Sequence, residues 1–362
     1  SFYNFNDTIA VIQAIPGGPS EKAGIRGGDR IVAADDQSLT GADVLDDSIT
    51  NQLKGQINTK VALKVKRPGV DGLLDFKVTR SVVPLKSVDA SYMATDTLGY
   101  IKINRFAEST PEEFEKALLS LKRKGARQLV LDLRGNPGGL LRQSIKLANL
   151  FLTQGHIITT RGRHPDSVHH YNADGDDILN GQPLVILVDG KSASAAEITA
   201  AALQDRGRAV VLGTSSYGKG SVQTVIRLPN DGELTITWSR LITPTGYTLH
   251  GLGVHPVVCT SSKASIPAVQ GADGAHPNPI LAAMGGRDFQ ADIFARWRRG
   301  GPLDEDERTR LRETCPPEPH SGTQDRDLAR RIIEDRTLYA RALVITQATA
   351  RASLDRDSAA AE

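Results

Sequence analysis

The sequence predicts an α/β core with a small β-rich domain before it and a helical appendage after it. Three observations support this prediction. Residues 84–260 alternate continuous apolar runs with amphipathic segments, which is typical of buried strands covered by helices. Residues 1–83 contain short alternating runs and one main helical stretch, as small β-rich domains do. Residues 261–362 change composition toward Ala, Gly, Pro, Arg and Asp before a final amphipathic segment.

The composition is that of an ordinary globular protein. The chain has 362 residues, 39% of them hydrophobic and 24% charged, which is enough for two or three domains with a sizeable core. Lys plus Arg is 44 and Asp plus Glu is 42, so the net charge of +2 gives no basis for a nucleic-acid partner. No apolar run approaches the roughly 20 residues of a membrane span.

The β-rich domain is predicted from turns and alternating runs. The turn Pro16-Gly17-Gly18-Pro19 ends a first strand, and the turn Gly27-Gly28-Asp29 leads into another. The chain starts at Ser1 without an initiator Met and almost inside a strand, so it is expected to be a mature or truncated form. Strands are predicted over residues 8–15, 60–66 and 73–79, and a helix over residues 43–53.

The α/β core is predicted from its alternation of strands and helices. A helix begins at Thr110-Pro111-Glu112-Glu113, where an N-cap, a proline at the first helical position and early acids coincide, and it ends at Gly125. Strands are predicted over residues 98–104, 128–133 and 183–188, and the last is followed by a helix over residues 194–204.

The C-terminal segment is expected to be a solvated or tethering appendage. Residues 287–341 hold 12 Arg against 12 Asp plus Glu, so this stretch is not a nucleic-acid patch. Residues 327–350 predict one amphipathic helix. Two cysteines, Cys259 and Cys315, are compatible with a disulfide or with two free buried thiols.

A serine and a lysine form the strongest chemical signal. Ser194 lies among small residues in the segment 190–198, and Lys219 lies between two glycines. A serine hydroxyl needs a base to remove its proton, and a neutral lysine amine can do this. Burial is the usual cause of a neutral lysine, so Lys219 is expected to be buried. The pair predicts acyl transfer without histidine.

Ser194 also has a purely structural interpretation. Ser194 and Glu197 fit a capping box, in which the serine caps a helix and the glutamate reaches back. The two interpretations are compatible, because a serine at a helix N-terminus lies at its positive end, where amides face a developing oxyanion. Ser192 is a competing nucleophile that spacing does not exclude.

Lys219 has an alternative as part of a nucleotide site. Residues 213–219 match the first seven positions of a phosphate-binding loop, which requires Ser or Thr after the lysine and then a helix. Gly220 follows instead, and residues 221–226 alternate like a strand, so this alternative is disfavoured. The eight histidines form no local metal motif, and no metal or other cofactor is predicted.

A glycine-rich loop follows the buried strand over residues 128–133. Arg134-Gly135-Asn136-Pro137-Gly138-Gly139 predicts a tight connection between a strand and a helix. Alternatively, its backbone amides face the same site as Ser194 and complete an oxyanion hole.

Five motifs, in this order, resemble the carboxyl-terminal processing proteases, also called tail-specific proteases. The resemblance covers residues 8 to about 257. The motifs are Ala23-Gly24-Ile25 with Gly28-Asp29-Arg30-Ile31, Leu131-Asp132-Leu133-Arg134-Gly135-Asn136-Pro137-Gly138-Gly139, Ser192-Ala193-Ser194-Ala195-Ala196-Glu197-Ile198, Ala202-Leu203-Gln204-Asp205 and Gly218-Lys219-Gly220-Ser221-Val222-Gln223.

The resemblance implies a crotonase-like, ClpP-type serine peptidase core over residues 84–260. Ser194 is then the nucleophile, Lys219 the general base and Gln223 the residue that orients the lysine. Asp205 and Glu197 are implied as supporting acids. The amide of Ala195, together with that of Gly138 or Gly139, is implied as the oxyanion hole.

The resemblance also implies a PDZ domain over residues 1–83 that captures C-terminal tails by strand addition. Gly28, Asp29, Arg30 and Ile31 are its implied peptide-binding residues. The carboxylate-binding loop of the family should precede Thr8 and is missing, so the domain is expected to be truncated at its N-terminus.

These implications define a function with one alternative. The expected function is cleavage of proteins with exposed C-terminal tails in the periplasm or cell envelope, by a homo-oligomer or with an activating partner. The alternative is a latent or catalytically silent scaffold protein that binds tails through its PDZ domain.

Overall fold

The computed structural model describes residues 2–5, 8–15, 17–41, 46–83, 86–228, 232–262 and 305–344. The chain divides into two compact units, Ser1–Leu85 and Lys86–Glu362. The amphipathic patterns of the sequence account for the elements in each, although the second unit extends further along the chain than the predicted core does.

The first unit is a small antiparallel sheet with two short helices. The sheet order is β1-β2-β3-β5-β6, with β4 paired to β3. Alternate residues of β5 are buried, as the alternating sequence predicts. The elements are β1 (Phe2–Phe5), β2 (Thr8–Val11), α1 (Pro19–Lys22), β3 (Arg30–Ala34), β4 (Gln37–Ser38), α2 (Asp46–Leu53), β5 (Lys60–Lys66) and β6 (Leu74–Thr79).

The second unit contains two sheets. Its central sheet has the order β16-β13-β12-β9-β8-β7, in which β7 runs antiparallel and the other strands are parallel. The second sheet is antiparallel, with the order β11-β10-β15-β14.

The helices and strands of this unit follow the predicted alternation only in part, because several strands succeed one another without an α-helix between them. Its strands are β7 (Val88–Met93), β8 (Leu98–Ile103), β9 (Gln128–Asp132), β10 (Gly155–Arg161), β11 (His169–Ala173), β12 (Leu184–Val188), β13 (Val210–Gly213), β14 (Ser221–Arg227), β15 (Glu233–Ile242) and β16 (Val258–Cys259). Its helices are α3 (Thr110–Arg123), α4 (Leu141–Asn149), α5 (Ala195–Asp205), α6 (Glu305–Thr314) and α7 (Gln324–Glu334).

The central sheet is buried on both faces. Leu129 and Leu131 of β9 point into a core formed with α3, α4 and α5, whereas Val130 points to the opposite face. That second face is covered by α7, whose Ile332 and Ile333 are almost completely buried. The two faces explain why the strands are continuously apolar in the sequence.

The described part of the C-terminal segment, residues 305–344, is therefore not a solvated appendage, contrary to the sequence-based expectation. Helix α7 packs against β9, β12 and β13 and supplies a layer of the core. The single helix predicted over residues 327–350 is also interrupted. Asp335 lies outside a helix, and its carboxylate accepts hydrogen bonds from the amides of Thr337 and Leu338, which starts a new helix over residues 336–344. The remainder of the predicted helix lies outside the described residues.

A disulfide joins Cys259 at the end of β16 to Cys315 just after α6. The two Cα atoms are 5.8 Å apart, and 56 positions separate the residues in sequence. This pairing decides between the two alternatives that the sequence left open. It ties the C-terminal segment covalently to the edge of the central sheet.

Removing this disulfide is expected to destabilise the second unit by about 2–4 kcal/mol, because the unfolded chain loses a covalent constraint. The measurement is urea-induced unfolding of the parent and of the Cys259→Ala/Cys315→Ala variant, followed by circular dichroism. In the presence of a reductant, the two proteins should unfold at similar urea concentrations. A parent protein whose unfolding midpoint does not respond to reductant would contradict the tether.

Candidate active site

Ser194 lies at a strained turn between β12 and α5. Its backbone has φ 54° and ψ −114°, which is a conformation that residues other than glycine rarely adopt. The amide of Ala196 donates to the carbonyl of Ala193 at 3.1 Å, so the four residues 193–196 form a type II′ turn with Ser194 at its second position. Such backbone strain costs about 1–3 kcal/mol and is found mostly at functional sites.

The hydroxyl of Ser194 is not committed to capping. Ser194 and Glu197 have the reciprocal arrangement of a capping box, as predicted, yet the hydroxyl forms no cap hydrogen bond of standard geometry. The better-defined half of the box is the Ser194 amide, which donates to Oε2 of Glu197 at 2.6 Å. The side chain is half-buried at the N-terminus of an 11-residue helix.

Ser192, the competing nucleophile, is a structural residue. Its side chain is completely buried, and its hydroxyl donates to the carbonyl of Leu133 at 2.8 Å. The same oxygen accepts from the amide of Asp189 at 3.0 Å. A hydroxyl with both functions used inside the core is unavailable to a substrate, so the geometry favours Ser194.

Glu197 connects two segments of the chain. One is the turn at residues 193–196, called the serine turn, and the other is the loop at residues 214–220 between β13 and β14, called the lysine loop. Its carboxylate is fully buried and accepts four hydrogen bonds. Oε2 accepts from the amides of Ser194 at 2.6 Å and Lys219 at 2.9 Å. Oε1 accepts from the amide of Gly218 at 2.6 Å and from the hydroxyl of Ser216 at 2.5 Å. One oxygen atom thus holds the backbones of the two predicted catalytic residues next to each other.

The electrostatics of Glu197 reflect a balance. Burial raises the pKa of its carboxyl group, and the four donors oppose this shift by favouring the ionised form. Arg312 of α6 lies nearby, and its Nη1 atom donates to the carbonyls of Gly251 and Leu252 at 3.2 and 2.6 Å. Burial lowers the pKa of this guanidinium, and the negative charge of Glu197 opposes that shift.

Lys219 differs from the sequence-based expectation. Its side chain is exposed rather than buried, whereas its backbone amide donates a hydrogen bond to the buried carboxylate of Glu197. The described residues contain no hydrogen bond between the Lys219 amine and the side chain of Ser194 or Gln223. Gln223 is also exposed, on β14. Lys219 is followed by strand β14 and not by the helix that a phosphate-binding loop requires, which argues against a nucleotide site.

The glycine-rich loop lies directly against Ser194. A Cβ atom on Gly138 would be 2.8 Å from the Ser194 Cβ and 2.9 Å from the Ala195 amide nitrogen, so only glycine fits. The Gly138 amide is already used, since it donates to Oδ1 of Asn136 at 2.8 Å. No acceptor within the described residues is recorded for the amides of Gly139 and Ala195. Between Gly138 and Gly139, the geometry therefore favours Gly139 as the oxyanion donor.

Asp205 lies far from Ser194. It is at the C-terminal end of α5, whose 11 residues separate the two by roughly 15 Å at 1.5 Å per residue. Its carboxylate accepts from the amide and the hydroxyl of Thr245 at 3.1 and 2.5 Å. The structure thus gives Asp205 a role in holding the turn after β15, and not a contact with the serine.

The C-terminal segment reaches the same site, which sequence analysis missed. The Glu318 carbonyl accepts from the amide of Gly190 at 2.8 Å and from the hydroxyl of Thr214 at 2.9 Å, so it joins the loops after β12 and β13. The amide of His320 donates to Asp189 at 3.0 Å. No local pattern marks Glu318 or Arg312, because their partners lie more than 50 positions away in sequence.

Two family models match the chain, and one of them covers the segments of the candidate site. A family model described as "Peptidase family S41" matches residues 97–259, and one described as "PDZ domain" matches residues 1–78. Residues 97–259 are therefore a domain of peptidase family S41. The match contains the serine turn and the lysine loop, which Glu197 joins, and the glycine-rich loop, which lies against Ser194.

Two curated proteins to which the chain is similar are named carboxy-terminal processing proteases. The carboxy-terminal-processing protease of Bartonella bacilliformis is 38% identical over 255 residues, which are 69% of this chain and 58% of that protein. The carboxy-terminal processing protease CtpA of Bacillus subtilis is 36% identical over 259 residues, 72% of this chain and 54% of that protein. The chain thus spans a little over half the length of these relatives. Among solved structures, the photosystem II D1 C-terminal processing protease is 29% identical, with 72% of each chain covered and a TM-score of 0.44.

The PDZ unit of this S41 peptidase contains a largely apolar cavity of about 420 Å³. Of the four predicted peptide-binding residues, Gly28, Asp29, Arg30 and Ile31, only Ile31 lines it. Asp29 is instead a buried structural residue. Its carboxylate pairs with Arg67 at 2.7 Å, and these hydrogen bonds hold the pKa of Asp29 below its usual range. The cavity is lined by residues of β1, β2, β5 and β6 and by the end of α2, including Phe2, Val11, Ile15, Leu53, Val61 and Val78.

The described residues offer neither a metal site nor a membrane span. They contain no group of three or more His, Cys, Asp or Glu side chains that could hold a metal ion. Within the same ranges, every helix is too short or too polar to cross a membrane.

Replacing Glu197 by Gln is expected to lower kcat by about 10–100-fold, because hydrogen bonds to a charged group are worth about 1.5–3 kcal/mol. The neutral amide presents a donor where amides and a hydroxyl now donate to the carboxylate. Amide hydrogen exchange at Gly218 and Lys219 should become faster. Glu112→Gln, an exposed site on α3, is the matched control. Parent-like kcat and exchange in Glu197→Gln would show that the carboxylate does not organise the site.

Proposed function

We propose that this chain is a serine endopeptidase that cleaves proteins at or near their C-terminal tails. The single observation that carries the proposal is the Glu197 carboxylate, which binds the amides of Ser194 and Lys219 with one oxygen atom. Together with the strained serine turn, this arrangement fits a Ser-Lys dyad. The finer classification of the core as crotonase-like belongs to the same proposal.

In the proposed reaction, Lys219 acts as the base in its neutral form. Its amine takes the proton of the Ser194 hydroxyl as the serine oxygen attacks the scissile carbonyl. The amides of Ala195 and Gly139 stabilise the negative oxygen of the tetrahedral intermediate. The protonated lysine then returns the proton to the leaving amine, and water hydrolyses the acyl-enzyme. Gln223 orients the lysine in this scheme.

The exposed position of Lys219 supports a latent resting state within this proposal. The amine must turn toward Ser194 and lose water before it can accept a proton, and a bound substrate can supply that dry environment. This observation favours the alternative of a latent tail-binding protein only in part, because Glu197 already holds the backbone of the dyad in place.

Tail capture is assigned to the PDZ cavity. An apolar cavity of about 420 Å³ is large enough for one or two side chains of an extended peptide. Strand addition would supply the backbone hydrogen bonds, as in other PDZ domains. A periplasmic or cell-envelope location is part of the proposal, and the Cys259–Cys315 disulfide supports it, since disulfides persist in oxidising compartments.

Ser194→Ala is expected to abolish peptidase activity and labelling by a serine-directed fluorophosphonate probe, because the attacking oxygen is removed. The measurement is cleavage of an unstructured protein, with folding checked by circular dichroism. Ser109→Ala, at an exposed serine before α3, is the matched control and should behave like the parent. Cleavage by Ser194→Ala at the parent rate would exclude Ser194 as the nucleophile.

Lys219→Arg is expected to lower the cleavage rate by roughly 10²–10⁴-fold, the usual size of general-base catalysis. Arginine keeps the positive charge but stays protonated, so the serine proton has no acceptor. Lys124→Arg, exposed at the end of α3, is the control. A folded Lys219→Arg protein that keeps more than about a tenth of the parent rate would rule out the lysine as base.

A further inference from the structure

Two arginines lie in line with the start of the strand that follows the lysine loop. Strand β14 pairs Ser221 with Arg240 on β15, and β15 in turn pairs Arg240 with Arg161 on β10. Residues directly opposite each other on antiparallel strands share one face of the sheet. Ser221, Arg240 and Arg161 therefore lie side by side across three strands. Ser221 is two positions after Lys219 in the sequence.

Arg161 and Arg240 border a cavity. It has a volume of about 510 Å³ and lies between the end of β10 and the middle of β15. Arg161, Arg163 and Arg240 line the cavity. Trp238 lines it as well, and its side chain is 45% exposed. The ring of His164 lies 6.2 Å from that of Trp238. We call Arg161, Arg163 and Arg240 the arginine row.

This arrangement is unfavourable for the fold alone. Like charges directly opposite each other on neighbouring strands destabilise a sheet. Within the described part of the chain, no ion pair or hydrogen bond is recorded for the side chains of the arginine row. The adjacent Asp166 is 3.5 Å from Nδ1 of His164 instead. Positive charge has therefore been concentrated here without a recorded acidic partner in the described residues.

The field of the arginine row reaches the lysine loop. His250 packs against that loop, since a Cβ atom on Gly220 would collide with the His250 backbone. Burial lowers the pKa of His250, and the charges of Arg240 and Arg308 lower it further. A substrate bound at the lysine loop would thus lie beside a cationic surface.

We infer that the arginine row is a substrate-binding site that selects acidic polypeptide segments next to the scissile bond. Arginine binds carboxylates through two parallel hydrogen bonds, and the exposed Trp238 can pack against the aliphatic part of a neighbouring side chain. The inference rests on the proposed peptidase function and adds a substrate class to it. Acidic side chains of the bound segment would neutralise the unpaired arginines.

The test uses peptides built around one cleavage site, mapped first in an unstructured protein by mass spectrometry. Three versions carry Asp, Asn or Lys at the positions flanking the scissile bond. The parent should cleave the Asp peptide with a kcat/KM at least tenfold above that of the Lys peptide, mainly through KM. The difference should shrink as salt is raised, because exposed charges are screened.

Charge reversal gives the sharpest outcome. Arg161→Glu/Arg240→Glu should reverse the preference in favour of the Lys peptide, a result that a damaged fold would not produce. Arg161→Gln/Arg240→Gln, which removes the like-charge pair, should abolish the preference, so that the Asp and Lys peptides are cleaved with similar kcat/KM. Arg123→Glu, exposed on α3, is the control and should keep the parent preference. Equal kcat/KM of the parent for the Asp and Lys peptides would overturn the inference.

Binding separates this inference from the peptidase proposal. The affinity of Ser194→Ala is measured by anisotropy for fluorescently labelled Asp-rich and Lys-rich versions of one extended peptide, which is chosen without reference to a cleavage site. A parent that cleaves nothing, together with a Ser194→Ala protein that binds the Asp-rich version at least tenfold more tightly, would refute the peptidase and keep the site. If the arginine variants instead lose binding to vesicles of phosphatidylglycerol while peptide binding is unchanged, the row is a lipid contact and the inference is wrong.

Discussion

The buried carboxylate of Glu197 is the constraint on which the arrangement of the site depends. An unpaired charge in a protein interior is very costly, so Glu197 can remain ionised only while its hydrogen-bond donors stay in place. Three of those donors are backbone amides from two separate segments, the serine turn and the lysine loop. The cost of leaving the charge unpaired therefore resists any separation of these segments. The Glu197 side chain thus has two roles, since it caps helix α5 and also organises the candidate site.

The C-terminal segment completes this arrangement from outside the family match. It covers the second face of the central sheet with α7, and it joins the loops after β12 and β13 through the Glu318 backbone. Arg312 connects it to residues 251–252, and the Gly251 amide in turn donates to the carbonyl of Gly218. The Cys259–Cys315 disulfide keeps the segment in position. The site is thus supported by residues well beyond the motif-bearing core.

Charge around the site is arranged unevenly. Negative charge is buried at Glu197, where it organises the backbone, whereas positive charge is exposed at Lys219 and along the arginine row. The overall net charge of +2 gives no hint of this separation. A chain that is nearly neutral as a whole can still have a locally cationic surface, because the local field depends on where the charges are placed and not on their total.

The sequence by itself determined the features that local patterns encode. Alternation, turns and apolar runs predicted eight of the sixteen strands in the described residues, the capping pattern predicted the Ser194 turn and Glu197, and ordered motifs predicted the family. These features depend on residues within a few positions of one another, where side-chain periodicity and backbone preference act directly. The predicted helix over residues 327–350 was interrupted at Asp335, because a side-chain cap there competes with continuation of the helix.

The tertiary structure decided everything that depends on distant partners. It buried the Ser192 hydroxyl against Leu133 and bound the Gly138 amide to Asn136, which favours Ser194 as the proposed nucleophile and Gly139 as the proposed oxyanion donor. It paired the two cysteines, and it placed Arg161 opposite Arg240 through strand register. It also left Lys219 exposed, against expectation. Such contacts are set by topology and register, which join residues far apart in the chain and leave no periodic trace in the sequence.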